Sequence, residues 1–307
     1  SRTPRLVGNN PVAWRESHLR RSVSTIIGRW GFLLLGLILL IVLLGYHASS
    51  TASPGLIANT RLFIVALLIA ETVIIILTAV NLSATAVSRE REDGSLDLIL
   101  TTPIQPGPYL SGKHRGLLRY LLPMMALPVI SMLIIACYVM FLGSTDHVRQ
   151  TQVMSNAMEI DMPLVMPAAC IAFALMFIPF IAFCVMVGLH WSIRSKGTIG
   201  SIAAAMIILL ILLGILGACG GVAGANIPIV GAALMTVNPG NLILSIADPA
   251  EWLNSSWKSD SSGSTINLML VMGGIISAAI YLGIAWTMHR SMSRTFMMTV
   301  RRLSGTN

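Results

Sequence analysis

The sequence predicts an all-α integral membrane protein with six transmembrane helices. Of its 307 residues, 55% are hydrophobic and only 10% are charged, with a mean hydropathy of +0.81. A soluble domain carries about 25% charged residues. Six apolar runs are long enough to cross the hydrocarbon core of a bilayer, which is about 30 Å thick. Lysine and arginine, finally, are concentrated in alternate segments between those runs.

The six predicted spans differ in length and in proline content. The second is long enough to continue beyond the membrane as a stalk, and the third and fourth contain Pro123, Pro128, Pro167 and Pro179, which kink spanning helices. The spans are Trp30–His47, Leu62–Val87, Leu118–Leu142, Pro163–Leu189, Ile199–Ala225 and Ile266–Trp286.

The N-terminal segment, residues 1–29, contains a predicted amphipathic helix over Asn10–Arg29. Asn10 is a good N-cap and Pro11 suits the first helical position. One face of this helix is apolar and the other is basic, which favours a position in the membrane interface. A solvated helix that leads into the first span is the alternative.

The positive charges predict the orientation, because loops rich in lysine and arginine stay in the cytoplasm. Seventeen of these residues fall in the N-terminal segment, in 88–119, in 190–197 or in the tail, residues 289–307. The other side holds three, namely Arg61, Arg149 and Lys258. We therefore expect a multi-pass protein of the plasma membrane. Both termini and loop 88–116 would be cytoplasmic, loop 226–265 external, and the six-span domain would cover 30–288.

Ser88–Pro103, with the sequence SREREDGSLDLILTTP, predicts a short helix outside the membrane. Gly94 lets the chain bend, Ser95 supplies an N-cap, and Asp97 suits the positive end of the helix dipole. Pro103 ends the helix. Its apolar stripe, the kind of surface that marks a docking site, consists of Leu96, Ile99 and Leu100.

Glu90–Pro103, followed by Gly112-Lys113, resembles the cytoplasmic coupling segment of ABC type-2 permeases. Asn10–Glu16 also resembles the N-P-x-x-W-R-E opening that is common in that family. The resemblance implies coupling to an ATPase through Arg89, Glu90, Arg91, Glu92, Asp93, Gly94, Ser95, Leu96, Asp97, Ile99 and Leu100.

The same resemblance implies the function and the partners. The chain would be the permease subunit of an ATP-driven transporter, most often an exporter, and not itself an enzyme. ATP and magnesium would be bound by a separate cytoplasmic ABC ATPase, so no cofactor is expected in this chain. The other expected partners are a second permease copy or a sister permease, and membrane lipid; nucleic acid is not expected.

The external loop contains an apolar run, Ile227–Val237, that is too short to span and is broken by Asn238-Pro239-Gly240. It resembles the external re-entrant hairpin of type-2 permeases; an outer loop with an apolar half is the alternative. Two G-x-x-x-G pairs in the fifth span predict close helix packing; packing within the subunit is favoured, and packing between two subunits is the alternative. The pairs are Gly217/Gly221 and Gly220/Gly224.

Two polar residues lie inside the second span. An ionised Glu71 would cost about 2.5–3.5 kcal/mol at that depth, so it should face protein or water, or be protonated. A structural role for Glu71 is favoured over a functional one, and Asn81 is predicted to be a helix-packing amide.

No catalytic or metal-binding motif is predicted. Gly107–His114 nearly matches a phosphate-binding loop, but His114 replaces the required hydroxyl and no strand precedes it. Two other classes stay open. An ion-gradient transporter should have several buried ionisable residues, where only Glu71 occurs. A membrane assembly protein without transport would have no use for the coupling motif.

Overall fold

The computed structural model confirms an all-α membrane protein with six helices long and apolar enough to span a bilayer. It describes residues 12, 23–50, 54–94, 106–142, 149–153, 159–166, 169–228, 230–253 and 264–304. The spanning helices are α1 (Val23–Ser49), α2 (Pro54–Glu92), α3 (Pro106–Leu142), α4 (Ala169–Arg194), α5 (Thr198–Asn226) and α9 (Ser264–Ser304). The shorter elements are β1 (Arg149–Val153), β2 (Glu159–Pro163), α6 (Val230–Met235), α7 (Pro239–Ala247) and α8 (Pro249–Trp252).

Helix α2 has the length that the predicted stalk requires. Its 39 residues extend about 58 Å at 1.5 Å per residue, well beyond the thickness of the hydrocarbon core. The helix ends at Glu92, and Gly94 follows with a φ of 70°, a left-handed conformation that glycine adopts without strain. The chain therefore leaves the stalk by the bend that the sequence predicted.

Helix α4 is the centre of the bundle. In the most apolar stretch of each helix, 72% of the residues are buried in α4, against 11% in α5 and 17% in α1. Its four phenylalanines, Phe173, Phe177, Phe180 and Phe183, are all buried, and Phe173 stacks on Phe177. Helices α1 and α5 therefore lie at the periphery, where they leave large apolar faces exposed.

Helices α2 and α4 approach each other closely at Gly188. A Cβ atom added there would lie 2.8 Å from the Cβ of Ser83 and 3.0 Å from the backbone nitrogen of Ala84, and closer still to the Ser83 hydroxyl. Only a residue without a side chain allows the two helices this spacing, so Gly188 sets the distance between the stalk helix and the central helix.

The segment predicted as a re-entrant hairpin forms α6, which packs against α5 and α9, and α7, which packs against α2, α4 and α5. Asn238 caps α7 and donates from Nδ2 to the carbonyl of Leu213, 2.8 Å away. Leu213 lies about 20 Å along α5 from Asn226, the last residue of that helix. Tyr281 donates to the carbonyl of Val237. The Tyr281 bond satisfies a backbone carbonyl of the turn, and the Asn238 bond ties the turn to the middle of α5.

The glycine pairs of α5 pack within the subunit, as predicted. A Cβ atom would lie 3.2 Å from Asn238 Nδ2 at Gly217, and 2.6 Å from Asn241 Nδ2 at Gly220. At Gly224 it would lie 2.8 Å from the side chain of Met235. The small residues therefore make room for the re-entrant segment.

Two segments fold differently from the prediction. The fourth span begins at Ala169 rather than Pro163, because β1 and β2 pair as an antiparallel hairpin in what the sequence indicated was a plain polar loop. Val23–Arg29, predicted as part of an interfacial helix, are instead the first residues of α1. Most of that predicted helix lies outside the described residues, as does Pro167.

Candidate functional site: the basic end of the bundle

Several Lys/Arg-rich segments meet at one end of the bundle, which we call the basic end. It is formed by residues 88–94, 106–115, 191–198 and 289–296. Tyr109 at the start of α3 lies against Phe296 of α9, with ring centroids 5.6 Å apart. Arg61, predicted to be external, lies at the other end of α2, where its Nε donates to the carbonyl of Leu164.

A buried ion pair joins α2 to α3 at the basic end. Lys113 Nζ lies 2.7 Å from Glu90 Oε1, and the Lys113 side chain is only 1% exposed. Lys113 also donates to the carbonyl of Ala86 at 2.9 Å, and the Tyr109 hydroxyl donates to Glu90 Oε2 at 2.6 Å. Desolvated charges need such additional hydrogen bonds. The pair connects the two helices on either side of residues 95–105, which we call the coupling segment.

Arg91 binds the end of α4. Its guanidinium donates to the carbonyl of Ile193 at 3.2 Å and to the carbonyl of Ser195. The last carbonyls of a helix have no partner within the helix and carry the negative end of its dipole. The Arg91 guanidinium therefore gives these carbonyls a hydrogen-bond donor and places a positive charge at the negative end of the α4 dipole.

Glu92 binds the start of α5 in the complementary way. Its Oε1 accepts from the backbone N–H of Thr198 at 2.7 Å, and its Oε2 accepts from the Thr198 hydroxyl at 2.6 Å. Gly197, the N-cap residue of α5, has no side chain for this purpose. Arg91 and Glu92, neighbours in α2, thus cap two successive helices. The positive residue caps the negative end of α4, and the negative residue caps the positive end of α5.

A layer of buried serines continues this junction along the helices. Ser192 Oγ accepts from the backbone N–H groups of Val87 and Ser88, both at 2.9 Å. Ser201 Oγ donates to the carbonyl of Ala84 at 2.9 Å. The serines allow α4 and α5 to lie close to α2 and bond to it.

Sequence reasoning did not identify Tyr109, Ser192, Thr198 or Ser201 as part of the site. For Ser192, Thr198 and Ser201 the available signal was a small hydroxyl residue within or next to an apolar run. That signal is weak, because such residues also occur at many positions without a partner on another helix.

The remaining predicted coupling residues fall into two groups. Arg89 and Asp93 form an exposed pair, with Arg89 Nε 4.0 Å from Asp93 Oδ2. Ser95, Leu96, Asp97, Ile99 and Leu100 lie outside the described residues. The structure thus gives Glu90, Arg91 and Glu92 partners within the subunit, and the apolar stripe stays a prediction.

Glu71 is buried inside the subunit, between α1, α2 and α3, and is 3% exposed. The hydroxyl of Ser131 donates to its Oε1 at 3.4 Å, and Leu127 and Gly36 lie beside it. Its Oε2 has no hydrogen-bond partner within the described ranges. The carboxyl group faces protein, one of the environments expected for it. Asn81, predicted as a packing amide, is instead exposed on the subunit surface.

Comparison with known protein families gives a match over most of the chain. The family described as "ABC-2 family transporter protein" matches residues 19–292. No curated protein matches the chain.

Proposed function

Because this chain belongs to the ABC-2 transporter family, and so is the membrane permease of an ABC transporter, we propose how it is coupled to ATP. The coupling segment binds a separate cytoplasmic ATPase, which hydrolyses ATP. The motion of the ATPase is passed to the spanning helices through the coupling segment and the basic end of the bundle. Transport is outward, the usual direction among the permeases that the sequence resembles.

The observation that carries the proposal is the buried pair of Glu90 and Lys113. It fixes the base of the coupling segment on both sides, so a displacement of that segment acts on α2 and α3 together. Arg91 and Glu92 extend the connection to α4 and α5. A push on one short segment would in this way reach four of the six spanning helices.

The exposed faces of α1 and α5 support a pair of permeases. Both helices are peripheral, and their outward residues are large and apolar; Leu210 of α5, for example, is 63% exposed. We propose that a second permease, an identical copy or a sister chain, covers part of this surface and that lipid covers the rest. The transport path would then lie between the two permeases.

Co-purification tests the coupling. In Leu96→Glu or Leu100→Glu a charge replaces an apolar side chain that the partner would bury, at a cost of about 1–3 kcal/mol or more. We expect either variant to lose the ATPase while the melting temperature of the permease stays unchanged. Thr101→Glu, on the opposite face of the predicted helix, is the matched control and should keep the ATPase. Normal co-purification by both leucine variants, or collapse of the permease itself, would contradict the proposal.

Cysteine labelling in intact cells tests the orientation. We propose that the basic end is cytoplasmic, as the distribution of lysine and arginine favours. A membrane-impermeant reagent should then label a cysteine at position 261 and not one at position 95. Labelling at position 95 alone would reverse the topology.

A further inference from the structure

One exposed face of α9 changes from apolar to cationic along its length. Met272, Ile275 and Leu282 are 45%, 47% and 52% exposed, and Trp286, on the same face, is 60% exposed. Arg290 and Arg294 follow at four-residue intervals, which continues this face. The surface therefore presents an apolar track, then an indole ring, then two guanidinium groups.

The two guanidinium groups border a shallow, open cleft between side chains of α9, with a volume of about 460 Å³. Its lining residues are Trp286, Thr287, Arg290, Ser291, Arg294 and Thr295. The guanidinium of Arg290 lies 5.4 Å from the centroid of the Trp286 ring, which holds its charge at the tryptophan end of the cleft. Thr287 and Thr295 donate their hydroxyl hydrogens to carbonyls of their own helix. The two threonine hydroxyl hydrogens are therefore already used within α9. The charged donors that line the cleft are Arg290 and Arg294.

This order of groups matches the order of groups along a phospholipid. Acyl chains are apolar, tryptophan prefers the level of the headgroups, and guanidinium binds phosphate oxygens with directed hydrogen bonds. A soluble anion would need only the arginines and would make no use of the apolar track. The opposite side of α9 packs inward, where Phe296 contacts Tyr109, so the cleft faces outward from the subunit.

We propose that Trp286, Arg290 and Arg294 form a binding site for the headgroup of an anionic phospholipid, whose acyl chain lies along Leu282 and Ile275. The position of the site in the cytoplasmic leaflet rests on the orientation proposed above. Binding itself does not, because it depends only on the face of α9.

The test is lipid retention by the purified full chain in native mass spectrometry, with phosphatidylglycerol and phosphatidylcholine offered in equal amounts. Wild-type protein should retain phosphatidylglycerol in preference. Arg290→Gln/Arg294→Gln should lower that preference about tenfold or more, since each basic residue near an anionic lipid surface contributes about fivefold. Arg290→Lys/Arg294→Lys, which keeps both charges, should retain most of it.

Arg119→Gln/Arg194→Gln is the matched control, because it removes the same charge from two exposed arginines of other helices. It should leave the preference unchanged. An equal loss in the control, an unchanged preference in the Arg290/Arg294 glutamine variant, or a lysine variant as weak as the glutamine variant would each overturn the site. Displacement of phosphatidylglycerol by inorganic phosphate at a similar concentration would also overturn it, in favour of a soluble anion. The assay contains no ATPase, so its result is independent of the coupling experiment.

Discussion

Lys113 of α3 points its ammonium group at Glu90 of α2, with 2.7 Å between Nζ and Oε1, in a site where the lysine side chain is 1% exposed. The sequence resemblance singled out both residues as parts of a coupling motif. The structure gives them a physical task within the subunit, which is to join the two helices on either side of the coupling segment.

Removing the lysine should destabilise the permease strongly. Lys113→Met removes the cation beside the largely buried carboxylate of Glu90, while the hydrogen bond from the Tyr109 hydroxyl stays. Breaking a buried ion pair in this way typically costs about 3–5 kcal/mol of folding free energy. We expect a clearly lower melting temperature of the purified permease. Arg89→Gln, which breaks an exposed pair, should change stability by about 0.5 kcal/mol or less. Equal melting temperatures for wild type and Lys113→Met would show that the pair does not hold the helices together.

Loss of the Glu92 cap should be detected as a local change at the start of α5 rather than as a change in the whole permease. Glu92→Ala removes the acceptor of the Thr198 amide, so hydrogen exchange of the first turn of α5 should become faster. Glu92→Gln keeps an acceptor but loses the charge that favours the helix dipole, and it should be intermediate. Asp93→Ala is the control, since Asp93 is exposed and pairs with Arg89, four residues earlier in the chain. Unchanged exchange at Thr198 in Glu92→Ala would contradict the capping role.

Gly188→Ala should force α2 and α4 apart. The added methyl group would lie 2.8 Å from the Cβ of Ser83, and overpacking of this kind costs about 1–3 kcal/mol. Thermal stability should fall, and Ser83→Gly in the same chain should restore part of it. Gly45→Ala is the control, because no atom lies within 4 Å of a Cβ atom at that position of α1. A Gly188→Ala permease as stable as the Gly45→Ala permease would show that the helices can separate freely.

Glu71→Gln should leave both folding and transport largely intact. The neutral amide keeps an oxygen that can accept from Ser131, and it avoids a charge at membrane depth. The measurement is transport by reconstituted permease and ATPase at matched expression, with the melting temperature taken in parallel. Loss of transport in a stable, well-expressed Glu71→Gln permease would assign a functional role to the carboxylate.

The sequence alone determined the membrane class, the six spans, the long stalk and the break at Asn238-Pro239-Gly240. Each of these depends on local quantities, namely the length of an apolar run or the conformational limits of a few adjacent residues. The spacing of the glycine pairs of α5 also indicated a close neighbour, but only the structure shows that the neighbour is the segment of α6 and α7 in the same subunit.

Only the tertiary structure decided which groups the charged motif contacts. Arg91 meets Ser195 and Glu92 meets Thr198 across more than a hundred residues of chain, and Gly188 matters because Ser83 lies against it. A sequence shows that a residue carries charge or lacks a side chain, but several helix ends could each accept the same arginine. The choice among them follows from how α2, α4 and α5 pack, and the packing free energy of whole helices sets that arrangement.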